Sequence, residues 1–293
     1  MHIIDSELDS ELLQMNNLSK ALLALLALIT ISCGFYWIRI PISKTPNKIH
    51  KIYVINLERS KDRREKMDTQ LRNIGLDYEF FKAVEGKELK FINEAGEVIQ
   101  GVDINHRKRL GETYKILCPN VTITYKNNHI NGQIGAGVAG CYCSHLELWR
   151  KIRLEGGNAL SIVLEDDVRL SGITGEKLNT LTNAFIDERE ASIISLGLHY
   201  KAGIGRKMKT FKFIPFSDIR KLSHPFQTTH AYAITKSGIN AMFSKLTESE
   251  VGGVDYNFFK VIGDGIKDKT VNAYKADNMD ILQNQEIPSD MLN

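Results

Sequence analysis

Residues 51–84 spell out a strand, a helix and a second strand in immediate succession, and that order limits the fold more than any other feature of the chain. Lys51-Ile-Tyr-Val-Ile-Asn-Leu57 is a short apolar, β-branched run of the kind that forms a buried strand. Ser60 is an N-cap residue type, Met67, Leu71 and Ile74 share one helical face, and Gly75 is the residue type that ends a helix. Tyr78 to Val84 reads as the next strand. The rhythm returns further on. A helix over Cys141–Leu154 carries Tyr142, Leu146, Trp149 and Ile152 and stops at Gly156-Gly157; a strand over 159–164 follows, then a helix over Glu176–Glu188 and a strand over Ser192–Leu198. Phe211–Phe216 and Thr229–Ile234 read as strands, Lys236–Leu246 and Val254–Ile262 as helices. The expected class is α/β, a mainly parallel sheet flanked by helices. The polar, Gly-bearing stretch from Glu85 to Gly132 reads as a long excursion with only short elements.

Ahead of this domain, residues 21–38 form an uncharged run between Lys20 and Arg39. A bilayer core about 30 Å thick needs roughly 20 apolar residues, so the run is long enough to span. Asp5, Glu7, Asp9 and Glu11 precede it and Tyr36 and Trp37 close it, the reverse of a cleavable signal peptide. The expected organisation is an N-terminal tail over 1–20, one transmembrane helix over 21–40, a linker over 41–50 and the α/β domain over 51–293. Arg39, Lys44, Lys48 and Lys51 follow the span, a charge bias that predicts a single-pass membrane protein with its domain in the cytoplasm.

With 293 residues, 43% of them hydrophobic, the chain can bury a substantial core. Its 38 basic and 35 acidic residues leave a net charge of +3, which gives no electrostatic footprint for nucleic acid. Cysteines stand at positions 33, 118, 141 and 143, and Cys141-Tyr-Cys143 is too tightly spaced for a zinc knuckle. They read as reduced, metal-free, small buried residues.

Gly135, Gly137 and Gly140 satisfy the three-glycine pattern of a dinucleotide-binding turn, but the preceding Tyr125–Asn131 is too polar for the strand such a turn must follow. A stronger signal lies at Leu164-Glu-Asp-Asp-Val168, where Glu165, Asp166 and Asp167 crowd the end of a strand. Ligands bind at the carboxyl edge of α/β sheets. Adjacent carboxylates repel unless a cation relieves them, and Mg²⁺ or Mn²⁺ takes carboxylate and phosphate oxygens together. The triplet therefore reads either as a clamp for a divalent cation and a nucleotide diphosphate, or as a solvated strand end.

Five ordered blocks carry a family resemblance: Tyr53-Val-Ile-Asn-Leu-Glu-Arg-Ser-Lys-Asp-Arg-Arg64, Gly140-Cys-Tyr-Cys-Ser-His-Leu-Glu-Leu-Trp149, Leu164-Glu-Asp-Asp-Val168, His230-Ala-Tyr-Ala-Ile-Thr-Lys-Ser-Gly238 and Val254-Asp-Tyr256. Together they resemble glycosyltransferase family 25, which contains lipooligosaccharide galactosyltransferases of bacteria and related collagen galactosyltransferases. The resemblance runs from about Ile52 to Asp290 and implies a GT-A-like fold, a UDP-sugar donor, and inverting transfer of a hexose, galactose favoured, to a glycan or glycolipid acceptor. The glycines then resemble the family's Gly-rich entry to the Ser-His helix. The extra Gly135–Ala139 run and the long Glu85–Gly132 connection depart from the family pattern and bear on acceptor choice.

Each candidate role has an alternative beside it. Asn56 and Arg59 or Arg64, after the first strand, stand where base, ribose and phosphate are held, although a helix arginine also sits on solvated faces. Ser144 and His145 are expected to open a helix and position the ligand there. Asp167 is the best metal ligand, supported by Glu165 or Asp166. Asp255, at the start of a helix, is the candidate base for the acceptor hydroxyl; a helix-capping Asp looks the same in sequence. His230 is a metal or diphosphate contact, or a packed strand residue. A non-catalytic sugar-nucleotide or glycan-binding protein on the same fold is the rival reading.

Overall fold

The structure, a computed structural model, describes residues 49–284 apart from 105–111, 127–134, 156–159, 185–191, 198–209, 214–218, 227, 249–253, 277–278 and 280. The chain separates into two compact units, Met1–Thr45 and Pro46–Asn293, and the described residues all belong to the second. The expected tail and anchor lie outside the described residues, among which no helix is long and apolar enough to cross a membrane.

The opening unit forms as its residues dictate. Strand β1 (Ile49–Asn56) pairs in parallel with β2 (Tyr78–Lys82), with helix α1 (Lys61–Arg72) between them in the chain. Gly75 then turns the chain at φ 72°, a left-handed conformation that glycine adopts without a Cβ clash. The expected excursion is more regular than its polar composition predicts. Strands β3 (Lys90–Asn93) and β4 (Val98–Gln100), the short helix α2 (Gly101–Ile104), and strands β5 (Thr113–Leu117) and β6 (Thr122–Lys126) come in order. The four strands make an antiparallel sheet, β4-β3-β5-β6, around Phe91, Tyr114, Ile116, Ile123 and Tyr125. Tyr114 and Ile116 alternate with less buried neighbours in β5, the two-residue period of a half-covered strand.

The remaining elements are α3 (Ala136–Glu155), β7 (Leu160–Glu165), β8 (Val168–Arg169), α4 (Gly175–Ala184), β9 (Ser192–Ser195), β10 (Thr210–Phe213), β11 (Ile219–Leu222), β12 (Ala231–Ile234), α5 (Lys236–Glu248), α6 (Val254–Lys267), β13 (Asn272–Ala276) and β14 (Leu282–Gln283). The large sheet has the order β10-β11-β13-β9-β12-β7-β1-β2. β11 and β12 run against the other strands, so the sheet is mainly parallel in direction, with antiparallel pairings around those two. Its central strands are buried on both faces, as strands covered by helices on each side must be. Along β1, Tyr53 and Ile55 join the cluster of Trp149, Ile239 and Phe258, while Ile52 and Val54 join that of Met67, Leu71 and Leu178.

Helix α3 begins five residues before the expected Cys141, taking Gly137 and Gly140 inside it. Packing explains this. A Cβ on Gly140 would lie 2.7 Å from both the Val84 carbonyl oxygen and the Gly86 nitrogen, and a Cβ on Gly86 would collide with the Ala136 carbonyl. The glycines let the helix lie directly on the Val84–Gly86 backbone. Gly140→Ala is therefore expected to lower stability by about 1–3 kcal/mol, the range for overpacking, although Ala is the better helix former. A thermal melt reads this; an unchanged or raised melting temperature would contradict it.

Candidate functional site

The carboxyl ends of β1, β2 and β7 lie side by side because β1 pairs in parallel with both neighbours. A cleft opens at this edge, walled by Arg59 and Arg63, by Val84–Gly86, by Gly137, Cys141 and Ser144 of α3, and by the three acids. A second open cavity of about 750 Å³ shares Leu57, Arg59, Ala83, Val84 and Glu85 with it and reaches Lys90 and Pro119.

The three acids stand together at the end of β7, but their carboxylates turn to different partners. Asp166 is fully engaged: Asn56 Nδ2 donates to Oδ2 at 2.7 Å and Arg63 Nη1 to Oδ1 at 3.0 Å. Asp167 accepts from Gln283 Nε2 at 2.9 Å through Oδ2, whereas its buried Oδ1 has no hydrogen-bond partner among the described residues. Burial and then the negative charge of Glu165 push the Asp167 carboxyl up to about 6. A buried carboxylate oxygen with no hydrogen-bond partner among the described residues is a ligand that fits a hard divalent cation, while the other two acids contribute negative charge nearby and turn their oxygens elsewhere.

Glu165 faces inward. Its Oε1 accepts from Thr229 Oγ1 at 3.0 Å and meets His145 Nε2 at 3.4 Å. The proton positions follow from the donors: Trp149 Nε1–H can only donate, and does so to Tyr232 Oη at 2.8 Å. The ionised Glu165 carboxylate can only accept, so Nε2 carries the ring proton that faces it, and in a neutral ring Nδ1 then accepts from Tyr232 Oη at 3.0 Å. Burial works against that carboxylate, but the hydrogen bond from His145 leads the contacts that outweigh it, and its pKa lies below the ordinary value.

Several expected residues take other positions. Ser144 and His145 do not open α3 but lie beyond its second turn, so the helix N-terminus is not theirs to offer; the close Gly86–Gly140 contact lets the helix start earlier. Ser144 Oγ donates to the Gly140 carbonyl at 2.6 Å and accepts from the Val84 N–H at 2.8 Å, tying α3 to the loop after β2. Arg64 is exposed, with its guanidinium 4.3 Å from the Phe80 ring centroid, and Arg63 takes the place at the acids. That difference is readable in the sequence: Arg63 lies one turn before buried Met67 on the same face of α1. Arg59 pairs with Glu85 across the cleft mouth at 3.1 Å. His230 packs its ring against Gly197 and bonds the Ile281 carbonyl through Nε2 at 3.0 Å, the arrangement of a packed residue. Asp255 lies in the first turn of α6, its side chain outside the described residues, and Phe258 three residues on rests 5.7 Å from the His145 ring.

The cysteines correct the expectation of reduced thiols. Cys118 and Cys143 form a disulfide that joins the β5–β6 turn to α3, and Asn120 reinforces it by donating twice to Glu147 at 2.7 Å. The pairing is hidden in the sequence because the two residues are 25 apart and meet only once the second sheet packs on the helix. A loop of that length is worth about 3.5 kcal/mol by chain entropy. Replacing both cysteines by serine is expected to lower the melting temperature under non-reducing conditions; an unchanged melt would contradict the bridge.

The profile of glycosyltransferase family 25 (LPS biosynthesis protein) matches residues 49–258. A glycosyltransferase 25 family member of Drosophila pseudoobscura pseudoobscura is 34% identical over 134 residues, 44% of this chain and 18% of that protein. Procollagen galactosyltransferase 1-A of Xenopus laevis is 29% identical over 140 residues, 47% of this chain and 20% of that protein. A probable inactive glycosyltransferase 25 family member 3 of Bos taurus is 28% identical over 176 residues, 58% of this chain and 25% of that protein. The chain thus spans about a fifth to a quarter of the length of these relatives.

Proposed function

The chain belongs to glycosyltransferase family 25, and from that premise we propose that it moves a hexose, galactose favoured, from a UDP-sugar to a carbohydrate acceptor with inversion. The observation that carries this reading is the buried Oδ1 of Asp167, without a hydrogen-bond partner among the described residues, in a cleft that also presents Arg59 and Arg63. Asp167 would hold Mn²⁺ or Mg²⁺, with Asp166 adding negative charge beside it, and the ion when bound supplies positive charge against the leaving diphosphate. Arg63, held against Asp166 at the cleft wall, is the phosphate partner in this reading, because a guanidinium pairs with phosphate oxygens through parallel N–H bonds. Asn56 fixes the Asp166 carboxylate at the end of β1 and so shapes the floor of the donor site. Asp255 takes the proton of the acceptor hydroxyl as its oxygen bonds the anomeric carbon from one face and the bond to UDP breaks on the other. The cavity reaching Lys90 and Pro119 offers room for the acceptor.

Residues 21–40 are the membrane anchor in this reading, and the acceptor is a growing surface glycan of the lipooligosaccharide kind. The two orientation signals oppose each other. Basic residues after the span favour the cytoplasm, whereas a stable disulfide belongs to an oxidising compartment. The disulfide is built from folded residues of the domain itself, and we place the domain on the oxidising side.

The test is a donor screen with UDP-galactose, UDP-glucose and UDP-N-acetylhexosamines, reading released UDP with Mn²⁺ and a glycan acceptor mixture. Acceptor-stimulated release from one donor supports transfer. Nucleotide binding with no release from any donor would favour the rival binding protein.

A further inference from the structure

Cys141 stays outside the disulfide, on the wall of the cleft. It and His145 are four residues apart on α3, so they share a helix face, and Glu165 meets them from the end of β7. One ligand atom from each of the three lies within 4.8 Å of the others. We propose that Cys141, His145 and Glu165 form a binding site for a thiophilic divalent cation of the Zn²⁺ class, with its fourth position open to the cleft. The site does not depend on hexose transfer.

The donor set selects the ion. Thiolate and imidazole suit Zn²⁺ and Co²⁺, while Mg²⁺ and Mn²⁺ prefer oxygen ligands such as those of Asp167. Metal–ligand bonds of about 2.0–2.3 Å put tetrahedral ligand atoms roughly 3.5 Å apart, so from separations within 4.8 Å the three close by no more than about 1.3 Å. The histidine and the glutamate are already held from behind. Tyr232, fixed by Trp149, supports the His145 ring, and Thr229 supports Glu165; outer partners of this kind orient ligands before the ion arrives. The protons balance. As Nε2 takes the ion it gives up its proton, the neutral ring takes one up on Nδ1, and Nδ1–H then donates to the Tyr232 oxygen, whose own hydrogen turns away from the ring. The Cys141 thiol loses its proton to solvent, one per ion bound.

The experiment uses the full chain, purified in detergent without reductant, stripped with chelator and titrated with Co²⁺. A thiolate-to-cobalt charge-transfer band should grow to one equivalent, survive a hundredfold or so excess of Mg²⁺, and vanish on adding stoichiometric Zn²⁺. Cys141→Ser should abolish the band with the far-UV spectrum preserved, whereas Cys33→Ser should keep it. Glu165→Gln should keep the band but weaken Co²⁺ affinity by about tenfold or more, within the range for lost metal-site partners. No band in the wild-type chain, or a band that survives Cys141→Ser, overturns the site. Because absorbance and not turnover is read, either result leaves the transfer reading to its own assay.

Discussion

Asp167→Asn is expected to remove most of the turnover and yet make the protein harder to melt at neutral pH. The substitution keeps size and shape but removes the charge that the cation needs. Electrostatic groups of this kind are typically worth about 10²–10³ in rate. Stability moves the other way because the carboxyl titrates near 6 when folded, against 3.8 in the open chain. A group with a raised folded pKa binds more protons in the folded state. Stability is therefore lost as pH climbs from about 4 to about 6, and the full penalty stands above that range. Asparagine escapes it, with a gain of up to about 3 kcal/mol at pH 7.5 that vanishes below pH 4. Mn²⁺ should raise the wild-type melting temperature above pH 6 and leave the variant's unchanged. A variant with near-normal turnover, or one that melts earlier at pH 7.5, would make the acid triplet an ordinary strand end.

Asp255→Asn separates base from cap. Asp255 lies inside the first turn of α6, where an acid adds only about 0.3–1 kcal/mol through the helix dipole, so a residue with that role alone would keep its transfer rate as asparagine. A residue that takes the acceptor proton would not, and loss of a general base lowers the rate by about 10²–10⁴. The expected result is transfer reduced by that factor, with UDP affinity unaltered and stability lowered by no more than about 1 kcal/mol. Transfer at wild-type rate would move the base elsewhere.

Much of the frame is legible in the sequence because local signals and tertiary demand agree. β1, α1 and β7 lie close to where apolar runs, the Met67–Leu71 face and the strand-ending acids put them. The acids are readable as a cluster but not as a division of labour. Which way Glu165, Asp166 and Asp167 turn is decided by Thr229, Arg63 and Gln283, residues 64, 103 and 116 positions away. The start of α3 is obscured because glycines lower helix propensity, and only contact with the Val84–Gly86 backbone reveals why they are needed. Cys118 and Cys143 illustrate the same limit, since no local pattern pairs residues brought together by a second sheet.

Titration calorimetry of UDP into the full chain, with and without Mn²⁺, tests the central claim most directly. If Asp167 supplies the cation site on which the diphosphate is held, Mn²⁺ should tighten UDP binding by about tenfold or more, roughly 1.4 kcal/mol, and that gain should be absent in Asp167→Asn. UDP binding of equal strength with and without Mn²⁺, or a gain that persists in the variant, would contradict it.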